Sequence, residues 1–90
     1  MVVYILRSPK TSDLYVGQTN DFDERLKRHN AGYVFSTRKN RPWKPECLIK
    51  KDTRSEAMKL EKYLKSLSRE RKEDFIQKYG IQTTQGTKKD

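Results

Sequence analysis

Residues 2–18 read Val2-Val3-Tyr4-Ile5-Leu6-Arg7-Ser8-Pro9-Lys10-Thr11-Ser12-Asp13-Leu14-Tyr15-Val16-Gly17-Gln18, two short apolar runs parted by turn-forming residues. Val2 to Leu6 does not alternate and is rich in β-branched and aromatic side chains. Such a run predicts a strand covered on both faces and central in its sheet. Ser8-Pro9-Lys10 breaks it, and Leu14 to Gln18 follows as a second strand, so the pair predicts an antiparallel hairpin. Opposed residues of such a pair share a face. The register expected sets Tyr4 opposite Tyr15 with a loop of about six residues, both phenols on one side and open space beside them at Gly17.

Downstream, Asp21 with Glu24 three residues on makes a capping box, opening a helix that runs to about His29 and stops at Asn30-Ala31-Gly32. A long loop spans Tyr33 to Pro45. Glu46 to Lys51 reads as a third strand, with Cys47 and Ile49 on one face and Leu48 on the other. Thr53 and Glu56 form a second capping box for a helix reaching about Leu67, and Ser68 caps a third helix ending at Tyr79-Gly80. Residues 81–90 read as a polar, disordered tail. The expected architecture is α+β in the order ββαβαα, a small three-stranded antiparallel sheet flanked by helices, forming one unit over residues 1–80.

The chain has 90 residues, is 32% hydrophobic and carries a formal charge of +9, so its core is thin and its surface suits a polyanion. Basicity favours nucleic acid as the partner without naming a reaction. Cys47 is the sole cysteine and His29 the sole histidine, which excludes an internal disulfide and argues against a structural zinc site. The first residues hold too short an apolar run for a signal peptide or a membrane span. The sequence therefore reads as a soluble cytoplasmic protein.

Several residues break the amphipathic pattern. Phe22, Arg25, Leu26 and His29 share one stripe of the first helix, the stripe a helix normally buries. A guanidinium there is costly unless it meets an anion, or else it flanks the stripe and reaches outward. Glu61 falls within the Ala57, Leu60, Leu64, Leu67 stripe of the second helix. It either pairs with a basic group, Lys65 at i+4 being available, or holds a cation. Trp43 either stacks on a base or packs over the core.

Taken together, Val2-Val3-Tyr4, then Tyr15-Val16-Gly17, then Arg25 with His29, then Glu61 resembles the GIY-YIG nuclease superfamily in order and spacing, over residues 2 to 77. Gly-Gln-Thr-Asn after Tyr15 and the helix Ala57-x-x-x-Glu61-x-x-Leu64-Lys65 strengthen the likeness, which is greatest to small stand-alone bacterial members. Val2 stands for the first glycine of the name motif and Val16 for its second isoleucine, and no asparagine follows Glu61. The resemblance implies a DNA endonuclease that hydrolyses phosphodiester bonds, at work in DNA repair or recombination. It implies Tyr4, Tyr15, Arg25, His29 and Glu61 as catalytic residues, with Glu61 the single protein ligand of one Mg²⁺ or Mn²⁺ ion. Arg25 would grip the scissile phosphate, the tyrosines would position and deprotonate water, and His29 would relay that proton or hydrogen-bond a tyrosine. A phenol has an ordinary pKa near 10, too high for a base at neutral pH without help from its surroundings. Lys27, Arg28, Lys39, Arg41 and Lys44 are candidate backbone contacts. A non-catalytic nucleic-acid-binding module, or a nuclease subunit whose protein partner supplies recognition, are the alternatives.

Overall fold

The structure, a computed structural model, describes residues 1–81; the tail expectation for 82–90 lies outside them. Strands β1 (Val2–Arg7), β2 (Leu14–Thr19) and β3 (Lys44–Lys50) form one antiparallel sheet in the order β2-β1-β3. Helices α1 (Phe22–Ala31), α2 (Arg54–Ser66) and α3 (Arg69–Tyr79) flank it, and a short 3₁₀ turn, Arg38–Asn40, interrupts the long loop. The element order is the one the sequence implies. β3 starts two residues before the expected Glu46 and ends at Lys50.

Burial explains why β1 had to be central. Val3 and Ile5 point to one face and pack with Val16, Cys47, Ala57 and Leu64, where α2 and α3 add Leu60, Leu67, Phe75 and Ile76. Tyr4 and Leu6 point to the other face and pack with Trp43, Tyr15, Phe22 and Leu26 beneath α1. All four of these β1 residues are at most 1% exposed, so neither face could tolerate a polar residue and the run cannot alternate. Cys47 and Ile49 join the α2 side while Leu48 faces away, half exposed.

The caps form through the N-cap side chains, but the return half of the expected box is replaced at Asp21, whose own amide donates to Thr19 Oγ1 at 3.1 Å. Asp21 accepts from the Glu24 amide, Thr53 from Glu56 and Ser68 from Arg71, each satisfying a first-turn N–H. α1 closes at Gly32, whose φ of 89° is left-handed, with Gly32 and Tyr33 amides bonding the carbonyls of His29 and Arg28. Arg7 anchors the far end of β1: its guanidinium donates to Glu73 on α3 at 2.8 Å and lies 3.4 Å from Glu46.

The hairpin register differs from the expected one. Tyr4 lies opposite Gly17 and Tyr15 opposite Leu6, two residues displaced from a Tyr4–Tyr15 pair. Because strand side chains repeat every two residues, an even shift keeps both tyrosines on one face. The ring centroids are 6.3 Å apart. The space above Gly17 is therefore not open: the Tyr4 ring fills it, and a Cβ at position 17 would fall 2.5 Å from the phenol oxygen. Gly17→Ala is expected to lower stability by about 1–3 kcal/mol through this overlap, read as a lower urea midpoint. Adding Tyr4→Ala should cost less than the two single changes summed; strict additivity would refute the contact as the cause.

Candidate active site

Tyr4 leaves the central strand and crosses beneath the edge strand β2 at Gly17, which carries its phenol to α1. There the hydroxyl lies 3.0 Å from His29 Nε2, and His29 Nδ1 lies 2.8 Å from Thr37 Oγ1. The Thr37 hydroxyl in turn reaches the Val34 carbonyl at 3.4 Å. One arrangement satisfies every group: Tyr4 donates to Nε2, Nδ1–H donates to Thr37, and Thr37 donates to Val34. In the reversed arrangement Thr37 donates to Nδ1 and Nε2–H donates to Tyr4. The phenol then has its own proton free for an oxygen from outside.

Both arrangements need a neutral imidazole, and the surroundings supply one. Burial, then the nearby positive charge of Arg25, lowers the His29 pKa below its ordinary 6.5. Burial also pushes the Tyr4 phenol up to about 12; Tyr15 adds to the rise and the Arg25 charge opposes it. Tyr4 thus keeps its proton at neutral pH in the free protein. Tyr15 is only half-buried, and its ring sits 5.0 Å from His29 and 6.2 Å from Trp43, centroid to centroid.

The loop after α1 is built to hold this chain. Asn30 clamps the Trp43 backbone, accepting from its N–H at 2.6 Å and donating to its carbonyl at 3.2 Å. Trp43 is 4% exposed and its indole N–H donates to the Thr37 carbonyl at 2.8 Å. Trp43 therefore packs, and its buried ring holds Thr37 against His29 instead of offering a face to a base.

Arg25 lies one helical turn before His29 and is half-buried, yet among the described residues no carboxylate lies within ion-pair distance of it. A partly desolvated guanidinium without a counter-charge is a ready anion site. Glu61 approaches from the opposite face of β2. Its carboxylate, 20% exposed, accepts from Gln18 Nε2 at 2.7 Å and lies 3.1 Å from the Lys65 ammonium. The Lys65 pair anticipated from spacing is thus present, and Gln18 joins it. Among the described residues no three His, Cys, Asp or Glu side chains cluster as a metal cage. A lone carboxylate already facing a cation fits a hard divalent ion bound mainly through water and phosphate oxygens.

The candidate backbone contacts are all exposed and come from separate elements. Lys27 and Arg28 lie on α1, with Arg28 4.0 Å from Glu24. Lys39 belongs to the 3₁₀ turn, and Arg41 folds back to donate to the Arg38 carbonyl at 2.9 Å. Lys44 lies on β3, at the other edge of the sheet from β2. A further basic group, Arg54, Lys59, Lys62 and Lys65, lines an open hollow of about 670 Å³ with Glu61. Its signal is the helical spacing of Arg54, Met58, Glu61, Lys62 and Lys65 along one stripe, with Lys59 at its flank. Thr37 and Gln18 were also missed, since a loop threonine carries no periodic signal.

Comparison with known proteins gives a family and a fold. Residues 1–74 match the family pattern described as the GIY-YIG catalytic domain. A UPF0213 protein of Bacillus licheniformis is 42% identical over 78 residues, covering 82% of this chain and 76% of that protein. The structure-specific endonuclease subunit SLX1 of Debaryomyces hansenii is 41% identical over 54 residues, 52% of this chain but 16% of that protein. The solution NMR structure of the UPF0213 protein BH0048 from Bacillus halodurans superposes with a TM-score of 0.59 at 35% identity, covering 88% and 84% of the two chains. Among the described residues no helix is long and apolar enough to cross a membrane.

The neutral, buried imidazole has a consequence for stability. His29 binds a proton more readily when unfolded, so its contribution is present above about pH 6.5 and is lost as pH falls below that value. Unfolding free energy from urea titrations should drop between about pH 7.5 and pH 5, and the drop should shrink in His29→Gln. His29 is the sole histidine, so a slope unchanged by that substitution would refute its assignment.

Proposed function

The chain belongs to the GIY-YIG family, and from that premise we propose that it is a DNA endonuclease using a single Mg²⁺ or Mn²⁺ ion. The observation that carries the reading is the Tyr4–His29–Thr37 proton chain beside Arg25, a half-buried guanidinium with no carboxylate partner among the described residues. A binding module needs neither a desolvated proton chain nor a cation held off from every carboxylate.

In this reading Arg25 takes the scissile phosphate and offsets the charge that grows on its oxygens in the transition state. Tyr15, half-buried at the edge strand, holds the attacking water and takes its proton as a phenolate, its own proton having first left to solvent. Tyr4, protonated up to about pH 12, orients that water through its hydroxyl and passes or returns a proton through His29. Glu61 would hold the divalent ion, which supplies electrostatic stabilisation of the leaving oxygen. Lys27 and Arg28 on α1 guide the phosphate backbone, and Lys39, Arg41 and Lys44 add charge to the same end.

The likeness to SLX1, described as a structure-specific endonuclease subunit, supports a protein partner that adds substrate preference to a chain able to cut by itself. Cytoplasmic DNA in repair or recombination is the expected setting.

Purified protein with plasmid, branched and single-stranded DNA in Mg²⁺ or Mn²⁺ should cleave at least one substrate, leaving 5′-phosphate and 3′-hydroxyl ends. Tyr15→Phe, Arg25→Ala and Glu61→Ala should each lower kcat by about 100-fold or more, and EDTA should abolish turnover. Cleavage that survives Glu61→Ala, or binding without cleavage on every substrate, would overturn the reading.

A further inference from the structure

Both oxygens of the Glu61 carboxylate are occupied. Gln18 Nε2 donates to Oε1 at 2.7 Å, and the Lys65 ammonium lies 3.1 Å from Oε2. The two contacts differ in kind. Lys65 stands one turn along the same helix with its side chain 57% exposed, and such i,i+4 pairs are weak and exchange readily with solvent ions. Gln18 comes from β2, 43 residues away in sequence, and its side chain lies half-buried on the α2 side of the sheet, opposite Val3.

The Gln18 amide has one workable orientation. Reversing it would set its carbonyl oxygen against the carboxylate, two acceptors with no proton between them. The orientation that serves Glu61 leaves Gln18 Oε1 buried and without a hydrogen-bond partner among the described residues. A buried orphan acceptor disfavours folding. The fold therefore holds this side chain in a state that is poor for its own oxygen and good for the carboxylate.

We infer that Gln18 is a positioning residue for Glu61 and that Lys65 is a placeholder cation on the same carboxylate. Gln18 pins Oε1 from the edge strand, which turns Oε2 toward the hollow that Glu61 and Lys65 line. Lys65 neutralises Oε2 there until a divalent ion displaces it. This rests on the reading of Glu61 as the cation ligand. The two neighbours then act with opposite sign: Gln18 favours the ion by fixing its ligand, and Lys65 disfavours it by competing.

Binding of millimolar Mn²⁺ to the protein without nucleic acid, followed by water-proton relaxation, tests this together with melting temperature. Gln18→Met should weaken Mn²⁺ binding about ten-fold, the lower end of what losing a ligand's hydrogen-bond partner does. Its melting temperature should not fall, since the substitution also removes the orphan acceptor. Lys65→Met should tighten binding about two-fold, the scale of a lost i,i+4 pair. Glu61→Gln should abolish binding. Unchanged affinity in Gln18→Met, or affinity and melting temperature falling together, overturns the positioning role; weaker binding in Lys65→Met overturns the placeholder. No binding by the wild type, or binding untouched by Glu61→Gln, instead sinks the reading of Glu61 as ligand.

Discussion

Tyr4 can reach His29 because residue 17 has no side chain. The Tyr4 ring occupies the volume that a Cβ at Gly17 would need, 2.5 Å from the phenol oxygen, and this close approach sets the rest of the site. It carries a residue from the most buried strand out to the edge strand, where solvent and a substrate can come near. It fixes which pair of residues lies opposite in the hairpin, because a displaced register would put a side chain under the ring. It also accounts for Val16-Gly17-Gln18 within the second strand: a packing residue, an absent side chain and a polar residue, each meeting a different neighbour.

Around that crossing the protein divides its labour between two faces. On the α1 side, burial favours neutral groups: the His29 pKa is lowered, the Tyr4 pKa is raised to about 12, and both follow mainly from desolvation. The charge that acts on both belongs to Arg25. On the α2 side the groups are charged and wetter, with Glu61 among Lys59, Lys62 and Lys65. The edge strand is the seam between a dry proton chain and a solvated carboxylate, and β2 contributes to each side by alternation alone, Tyr15 and Gly17 to one and Gln18 to the other.

How much of this could be read beforehand depends on the range of the interaction concerned. Helix starts were legible because a cap is a contact over three residues, as at Asp21 with Glu24 or Thr53 with Glu56. The central place of β1 was legible because burial on both faces removes alternation. The hairpin register was not, because face parity is unchanged by a two-residue slip and the turn leaves no unique length; Ser12 adopts a φ of 68° there, a backbone state that serine does not advertise. Trp43 could be narrowed to two roles but not decided, since its burial depends on Asn30 and Thr37, partners supplied by the fold. Glu61 shows the same limit: spacing revealed Lys65, and the decisive neighbour Gln18 is 43 residues away.

The charge arrangement separates two roles that composition merges. A net charge of +9 draws the whole domain to a polyanion, but most of its lysines and arginines are exposed, exchangeable and individually weak. Arg7 is spent on structure, tied to Glu73 and Glu46 across β1, α3 and β3. Arg25 is the contrasting case, partly desolvated and without a carboxylate partner among the described residues. A phosphate arriving there would meet a charge already stripped of much of its water, so the attraction is stronger than for any surface lysine. The same arrival would bring a positive demand near Tyr4 to an end, since Arg25 could no longer offset the phenol's desolvation as fully. Tyr4 would then hold its proton more firmly, which leaves proton abstraction to the half-buried Tyr15 and keeps Tyr4 as a donor.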